Sequence, residues 1–460
     1  MMRYNYYCEV ENSGRRPWAS FFLLMLGVFS RTKVFFLGTI AISELVIFPI
    51  VPLLFLRNYK VLRRDGFLPL IWMIMGLVAA LFVSSFINHS PFPYVVKAGA
   101  VFYSLFSYVV VFHALIRNNY NRMYLFWVGF AISAIITLFA FNPRASVAET
   151  GFEALSSGGV ADFASVMSGE MFWMDKIKTF GQIPIFAWYL NIPIFYPIGY
   201  ALLYSFVLIM TTGSGRSAIL TTLLAVAIMV IAGRSRRKMA LMGRHIWLLS
   251  IVGLLLVSMY KVGYMYAAEN KLLTDAAISK YEGQTGRGKG VISLVIGGRH
   301  EMFVDFMAAL DNPIFGLGPR PSDRKGYTER FLYKYGTDLD IRFHNYYKEI
   351  LERNGMSVPL RLHSIIAEFW AQYGIFGFIF WLWVIWLIYQ HIKKYMSAIP
   401  QWYGYFAMTI SAFAWDVLFS TFAARETFAC FFACLFFARA VGQGRLGLPY
   451  DMEMEARKHE

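Results

Sequence analysis

Long hydrophobic runs, separated by short polar segments, recur along the whole chain. Most approach about 20 residues, the length at which an α-helix crosses a bilayer with a hydrocarbon core of about 30 Å. The runs lie at about 16–32, 34–56, 66–87, 92–116, 121–141, 190–211, 216–232, 246–266, 366–390, 402–420 and 424–441. This pattern predicts a bundle of membrane-spanning helices.

Composition supports the same fold class. Of 460 residues, 58% are hydrophobic and 15% are charged, a balance that no water-soluble domain needs to fill its core. The first run is followed by another run and not by a small-residue cleavage site, so we expect an inserted protein without a cleaved signal peptide. The formal net charge of +15 comes from basic residues beside the apolar runs, where they set orientation, and no nucleic-acid partner is expected.

The distribution of lysine and arginine predicts which loops face the cytoplasm. The basic clusters are Arg15–Arg16, Arg57–Arg64, Arg117–Arg122, Arg234–Arg244 and Lys393–Lys394. The loop Asn88–Pro91 has no Lys or Arg and fits the opposite face. We therefore expect a multi-pass protein of the bacterial inner membrane with both termini in the cytoplasm.

The visible runs are odd in number, so one crossing must be hidden if both termini are cytoplasmic. The proline-interrupted stretch between Asn142 and Tyr200 is the place for it, which gives a prediction of about 12 transmembrane helices. The predicted units are a helix bundle at 1–266, a periplasmic loop subdomain at 267–365, further membrane helices at 366–441 and a cytoplasmic tail at 442–460. Within the loop, short helices are expected at about 300–310 and 344–353.

Two sequences resemble nucleotide or metal motifs but are interpreted otherwise. Gly283–Lys289 has the spacing of a phosphate-binding loop, yet Gly290 stands where a Ser or Thr should bind magnesium, and no buried strand precedes it. Asp338 and Asp340 have the Asp-x-Asp form of some metal-dependent transferases, but two carboxylates occur often by chance. The three cysteines, Cys8, Cys430 and Cys434, indicate neither a disulfide framework nor a metal site. No metal and no other cofactor is expected.

Three groups of residues carry candidate chemistry. The first is Thr211–Ser217, where Thr, Gly and Ser surround Arg216, and the second joins Gly297–Phe303 to Asn312–Arg320. The third begins with Arg361 and His363 and continues through Glu368 to Gly374 and Gly377. An arginine at a bilayer edge ordinarily anchors to headgroups, but guanidinium groups also suit phosphate oxygens, and histidine is the best proton acceptor at pH 7.

These motifs, over roughly residues 200 to 390, resemble those of the O-antigen ligases and the related O-antigen and exopolysaccharide polymerases. The resemblance lies in the Thr-Gly-Ser-Arg turn, the Arg followed by Asn-Pro-x-x-Gly-x-Gly, and a His before Glu and Gly-x-x-Gly at the start of a helix. It implies a helix bundle of the GT-C glycosyltransferase kind with its active site facing the periplasm. This chain departs from the family at Gly215, which separates Ser214 from Arg216.

The resemblance also implies substrates and roles. The donor would be a glycan on undecaprenyl diphosphate. The acceptor would be a hydroxyl of a lipid A-core sugar or of another lipid-linked glycan, and membrane lipids would surround the protein. Arg216, Arg299 and Arg320 would bind the diphosphate, and His363 would act as general base in an inverting, metal-independent transfer. His344 and Arg361 are candidates for acceptor binding.

Several alternatives stay open. His344-Asn345 competes with His363 for the role of base, since Gly355 follows His344 at the spacing that separates His363 from Gly374. Ligase and polymerase differ only in acceptor, and ligase is preferred slightly. A flippase or secondary transporter would use ionisable residues in apolar runs, for which Glu44, Lys97 and Asp416 are candidates, and a noncatalytic assembly partner is a third class. Arg425 and Glu426 are expected to pair with each other, and an extension of the basic site is the alternative.

Overall fold

The structure is a computed structural model, and it is mostly helical. It describes residues 17–30, 33–35, 39–117, 122–140, 221–225, 227–228, 262–263, 265–267, 269–270, 272, 300–335, 341, 344–345, 348–349, 358–360, 362–395, 403–420, 422 and 425–446. The predicted hidden crossing between 142 and 200 lies outside these residues. Most residues of the runs at 190–211, 216–232 and 246–266 also lie outside them.

The helices of the first part of the chain follow the hydrophobic runs closely, with one exception. The elements are α1 (Pro17–Ser30), β1 (Lys33–Phe35), β2 (Thr39–Ala41), α2 (Ile42–Ile47), α3 (Val51–Arg64), α4 (Leu68–Ile87), α5 (Phe92–Ile116) and α6 (Met123–Ala140). The exception is the run at 34–56, where the prediction of one continuous helix is wrong. The run forms an antiparallel hairpin, a short helix and the start of α3. Pro49 and Pro52 account for the break between α2 and α3.

The second part contains α7 (His300–Asp311), α8 (Tyr327–Tyr335), α9 (Ile365–Tyr373), α10 (Ile375–Lys394), α11 (Tyr403–Phe419) and α12 (Arg425–Gly442). The predicted short helix at 300–310 is confirmed by α7, and the one at 344–353 is described only at 344–345 and 348–349, which are helical. The single run predicted at 366–390 is divided at Gly374, whose φ of 65° no helix permits.

In the described part of the chain, α4 and α5 are long and apolar enough to cross a membrane. Shorter apolar helices lie at Trp18–Ser30, Ile375–His391, Tyr405–Leu418 and Thr427–Gly442. The helix α9 precedes the apolar segment of α10 and is not part of it.

A large apolar core joins these helices. Helix α5 packs against α4 and α12, and α10 contacts both α4 and α12. Helices α1 and α6 approach so closely that a Cβ added at Gly27 would lie 2.1 Å from the carbonyl oxygen of Phe126. The reciprocal position, Gly129, would bring a Cβ to 2.1 Å from the carbonyl oxygen of Leu24, so the two backbones are in direct contact there.

A second, smaller core belongs to the loop segment. Val304 and Ala308 of α7 pack with Phe331 of α8 and with Ala371 of α9. Leu360, which precedes α9, belongs to the same cluster. Because this cluster includes one face of α9, it fixes the loop segment on the helix bundle. We call the end of the bundle formed by residues 84–94, 300–335, 358–360, 362–374, 420, 422 and 425 the loop end, and the end formed by 64–66, 113–117, 391–395 and 440–446 the opposite end.

Candidate active site at the loop end

The two glycine-bearing motifs of the sequence meet at the loop end. The amide of Leu317 donates to the carbonyl of Ala371 at 2.7 Å, and the amide of Gly318 donates to the carbonyl of Gln372 at 3.1 Å. In return, the amide of Ile375 donates to the carbonyl of Ile314 at 3.1 Å. The segment after α7 is therefore bound to the last turn of α9 and the first residue of α10 through backbone groups.

This contact requires glycine on both sides. A Cβ at Gly316, where φ is 72°, would lie 2.6 Å from backbone atoms of Gln372 and Gly374. A Cβ at Gly374, where φ is 65°, would lie 2.0 Å from the carbonyl oxygen of Ile314. Both conformations are those that glycine adopts without steric cost, and both sites leave no space for a side chain.

The end of α4 completes the junction. The hydroxyl of Ser84 donates to the carbonyl of Gln372 at 2.8 Å, and the side-chain amide of Asn88 donates to the carbonyl of Gly316 at 3.0 Å. A Cβ at Gly318 would lie 2.3 Å from the hydroxyl oxygen of Ser90. The loop Asn88–Pro91, predicted to face away from the cytoplasm, thus lies beside both glycine motifs.

His363 lies at the start of α9, partly exposed, on a turn held by Asp305 of α7. One carboxylate oxygen of Asp305 accepts from the amide of His363 at 2.7 Å and from the amide of Ser364 at 3.1 Å. Ser364 caps α9: its hydroxyl oxygen accepts from the amide of Ala367 at 3.4 Å. The position of His363 therefore depends on α7 as well as on α9.

Asp305 is fully buried. Its second carboxylate oxygen has no hydrogen-bond partner among the residues that the structure describes. Burial raises the pKa of the Asp305 carboxyl well above its usual value, and the hydrogen bond from the His363 amide opposes that rise.

Glu368 lies one turn further along α9. Its carboxylate accepts from the side-chain amide of Gln372 at 3.1 Å and from the amide of Phe422 at 3.3 Å, which joins α9 to the segment between α11 and α12. Burial raises the pKa of Glu368 to about 7, against the two hydrogen bonds, which lower it. Two protonatable carboxyl groups therefore lie near the turn that carries His363.

Arg320 lies at the surface of the loop end. Its φ of 51° is in the left-handed region, which a residue with a long side chain rarely adopts. The guanidinium carbon lies 5.9 Å from the ring centroid of Tyr94, at the start of α5. This contact directs an exposed cation to the side of the bundle where the glycine motifs meet.

His344 lies at a different place from His363. It is buried and lines a cleft of about 410 Å³ in the loop segment, and His363 does not line that cleft. The lining residues are Ser322, Asp323, Arg324, Lys325, Gly326, Glu329, His344, Lys348 and Val358.

The cleft is polar and its charges are largely compensated. Lys348 pairs with Glu329 at 3.0 Å, and the carboxylate of Asp323 accepts from the amides of Tyr327 and Thr328 at the start of α8. The guanidinium of Arg324 donates to the hydroxyl of Ser322 at 3.2 Å. Such a mixture of donors and acceptors suits a hydroxyl-rich ligand.

Arg216, Arg299 and Arg361 lie outside the described residues, although α7 begins directly after Arg299. The segments Gly283–Lys289 and Asp338–Asp340 also lie outside them. Among the described residues there is no group of three or more His, Cys, Asp or Glu side chains placed to hold a metal ion.

Of the candidates for transport, Asp416 accepts from the hydroxyl of Ser420 at 2.7 Å. Lys97 is exposed, and Glu44 is buried and pairs with Arg425 at 3.1 Å. Ser104 also donates to the Glu44 carboxylate. The structure thus gives Arg425 a partner other than the expected Glu426, whose side chain lies outside the description.

Three residues of the loop end were missed by the sequence analysis: Ser84, Asn88 and Asp305. Asp305 had one usable signal, because it lies on the same stripe of α7 as the apolar residues Ala308 and Ala309, where a carboxylate is unexpected. Ser84 and Asn88 had no such signal in the sequence, because their hydrogen-bond partners are backbone carbonyls distant in sequence.

No model of a known protein family matches the chain, and no curated protein sequence matches it.

Proposed function

We propose that this chain is a membrane glycosyltransferase of the O-antigen ligase kind, which moves a glycan from undecaprenyl diphosphate to a hydroxyl of a lipid A-core sugar. The observation that carries the proposal is the junction at the loop end. The motif Asn312–Gly318 is bonded to the last turn of α9 and to Ile375 of the motif Gly374–Gly377. The turn that carries His363 is bonded to Asp305 of α7, the helix that precedes Asn312.

The proposed reaction is a displacement at the anomeric carbon of the donor sugar. The acceptor oxygen forms a bond to that carbon, while the bond from the carbon to the diphosphate oxygen breaks and its electron pair leaves with the diphosphate. His363 takes the proton of the acceptor hydroxyl. Attack opposite the leaving group inverts the configuration, so a product that retains the donor configuration would contradict this chemistry.

Cations are needed where the diphosphate departs. Arg320 is exposed at the loop end beside Tyr94 and is one of the three arginines assigned to this role, with Arg216 and Arg299. In this proposal the chemistry needs no bound metal, and the active site faces the periplasm of a bacterial inner membrane.

The acceptor is assigned to the cleft that His344 lines. A cleft of about 410 Å³ with donors and acceptors on its wall accommodates a sugar, and Arg361, near its wall in sequence, would contribute to the same site. This division gives the two histidines separate roles, His363 as base and His344 as acceptor ligand.

The first experiment is transfer in detergent, with a chelator, from purified undecaprenyl-diphosphate donor to lipid A-core acceptor. The native protein is compared with His363→Ala, Arg299→Ala and His344→Ala. Transfer that resists the chelator, is abolished in the first two variants and shows only a higher KM for acceptor in the third would support the proposal. Unchanged transfer in His363→Ala would refute the role of His363.

The same assay separates ligase from polymerase. If the native protein gives no product with lipid A-core, the lipid-linked donor is supplied as its own acceptor. Chain growth would identify a polymerase, which differs from the ligase only in the acceptor it binds.

A second candidate function, transport of a lipid-linked glycan, rests on the buried pair between Glu44 and Arg425. Ionisable pairs inside apolar helix bundles are typical of transport pathways. Glu44→Gln would abolish flipping of a fluorescent lipid-linked glycan in vesicles if this candidate is correct. A normal flipping rate, or none in the native protein, would exclude it.

A further inference from the structure

Asp305 joins two parts of the loop end that the sequence separates. It lies on α7, the helix that begins directly after Arg299, and its carboxylate accepts from the amides of His363 and Ser364 at the start of α9. The segment that follows α7 is also tied to α9, through the hydrogen bonds from Leu317 and Gly318 to the carbonyls of Ala371 and Gln372.

A carboxylate in this position is costly. Asp305 is fully buried, and one of its two oxygens has no hydrogen-bond partner among the described residues. Burial of a charged or polar group is unfavourable unless each of its atoms is bonded. An arrangement that is unfavourable for stability therefore needs a reason other than stability.

Capping of α9 is not that reason. Ser364 already caps the helix, since its hydroxyl accepts from the amide of Ala367 and donates to the carbonyl of Val417. The bonds from Asp305 instead fix the backbone at His363 and Ser364, outside the first turn of α9. Their effect falls on the residue that carries the imidazole.

We propose that Asp305 is a positioning residue, which fixes the imidazole of His363 by holding the backbone amides of His363 and Ser364 against α7. This inference rests on the proposed function, since it assigns His363 as the base. Asp305 does not contact substrate in this scheme: it acts through the backbone of His363.

The test compares three substitutions of Asp305. In Asp305→Asn the amide oxygen accepts the same two backbone hydrogen bonds, so we expect a kcat within about threefold of the native value. Asp305→Ala removes the acceptor and Asp305→Glu displaces it by one methylene. A misplacement of about 1 Å can lower a rate by about 100-fold, and we expect kcat to fall to that extent in both, with an unchanged KM for donor and acceptor.

Asp311→Asn is the matched control. Asp311 is the last residue of the same helix, and its carboxylate accepts from the hydroxyl of Tyr327 at 2.6 Å and pairs with Lys325 at 3.0 Å, away from His363. This variant should keep the native kcat. Equal loss of kcat in Asp311→Asn and Asp305→Ala would show a general effect on α7 and would overturn the proposal.

A second readout does not depend on transfer. The rate at which diethyl pyrocarbonate modifies His363, followed by mass spectrometry, reports the surroundings of the imidazole. We expect this rate to change in Asp305→Ala and Asp305→Glu but not in Asp305→Asn or Asp311→Asn. If the rate is the same in all folded variants, Asp305 does not position His363.

The two readouts distinguish failure of this inference from failure of the proposed function. An altered modification rate without transfer in the native protein would retain the positioning role and refute the enzyme. Native transfer that requires His363 but is unaffected by Asp305→Glu would retain the enzyme and refute the positioning role. Should Asp305→Ala not fold, the comparison of Asp305→Glu with Asp305→Asn decides.

Discussion

Glu368 shows how one partly buried carboxyl makes the loop end sensitive to pH. Its carboxylate accepts from Gln372 and from the amide of Phe422, but burial outweighs these hydrogen bonds and raises its pKa from 4.5 to about 7. The folded protein therefore holds a proton on Glu368 at pH values where the unfolded chain has released it.

The sign of the resulting pH dependence follows directly. Between about pH 4.5 and 7 the folded state binds more protons at Glu368 than the unfolded state, so the free energy of unfolding decreases as the pH rises. Glu368→Gln removes this contribution, and at pH 8 we expect the variant to be more stable than the native protein by about 2 kcal/mol.

The measurement is thermal unfolding in detergent at a series of pH values. The difference between the variant and the native protein should be small at pH 4 and grow up to about pH 7. A constant difference across the series would contradict the protonated state of Glu368.

Asp65, at the opposite end, contributes to stability in a different way from Glu368, because its carboxylate is paired with basic side chains. The buried carboxylate contacts Nε2 of His113 at 3.0 Å and accepts from Nε of Arg117 at 2.7 Å. Asp65→Ala would leave these two groups without their acceptor, and we expect it to lower the free energy of unfolding by about 2 to 4 kcal/mol.

Arg64 provides the comparison for Asp65. Its side chain is 52% exposed and contacts Asp65 only at 3.4 Å. Arg64→Gln should therefore cost no more than about 0.5 kcal/mol in the same unfolding measurement. Similar losses in the two variants would show that the cluster does not depend on the buried bonds.

The sequence was informative for residues whose chemistry is unusual and silent for those that act through geometry. His363 and Arg320 were identified because imidazole and guanidinium groups suit proton transfer and phosphate binding, and both lie at the loop end. Ser84 and Asn88 bond to backbone carbonyls of residues far along the chain. Such partners are set by tertiary packing, which one sequence does not encode in any local pattern.

At the scale of elements, the hydrophobic runs predicted most helix positions because apolar length is a local property. The starts and ends of α4, α5, α6, α11 and α12 lie within two residues of the predicted runs. The run at 34–56 failed since hydrophobicity alone does not register the effect of Pro49 and Pro52 on the backbone. The run at 366–390 did not register the break at Gly374, where Ile314 approaches, although the motif comparison placed Gly-x-x-Gly at the start of a helix.

That approach gives a sharp test of the junction between the glycine motifs. Gly374→Ala would place a Cβ 2.0 Å from the carbonyl oxygen of Ile314, in a conformation that alanine rarely adopts. We expect the substitution to destabilise the packing of the loop segment by more than about 3 kcal/mol, measured as greater sensitivity to limited proteolysis within the loop.

Gly76→Ala is the control for this substitution. Gly76 lies inside α4, and nothing lies within 4 Å of the position of an added Cβ. Alanine should be neutral or slightly stabilising there, because it favours helix more than glycine does. If both substitutions leave the loop equally resistant to protease, the close contact at Gly374 does not hold the loop.

At the scale of the whole molecule, the contacts separate two ends. The glycine motifs and Asn88 lie at the loop end, whereas Asp65, Arg117 and Arg445 lie at the opposite end, where Gly66 approaches the guanidinium of Arg445. Arg64, Arg117 and Lys394, each from one of the basic clusters, lie at the opposite end, which the charge distribution predicts to be cytoplasmic.

Labelling of single cysteines tests this orientation. In a variant without the native cysteines, Lys325→Cys at the loop end should react with a membrane-impermeant maleimide in spheroplasts, and Gln443→Cys should react only after the membrane is opened. Both native side chains are exposed or hydrogen-bonded at the surface, so the substitutions should not disturb the fold. The reverse labelling pattern would invert the predicted topology and move the candidate site to the cytoplasm.

The contact between Gly27 and Gly129 has a consequence for how the chain is made. Helix α1 is the first of the described helices to be synthesised. Its tightest partner is α6, which leaves the ribosome only after α2 to α5 have been synthesised. During synthesis α1 can contact α2 and α5 first, but its close backbone contact through Gly27 and Gly129 forms only when α6 arrives, so the final packing of α1 is an event of late biogenesis.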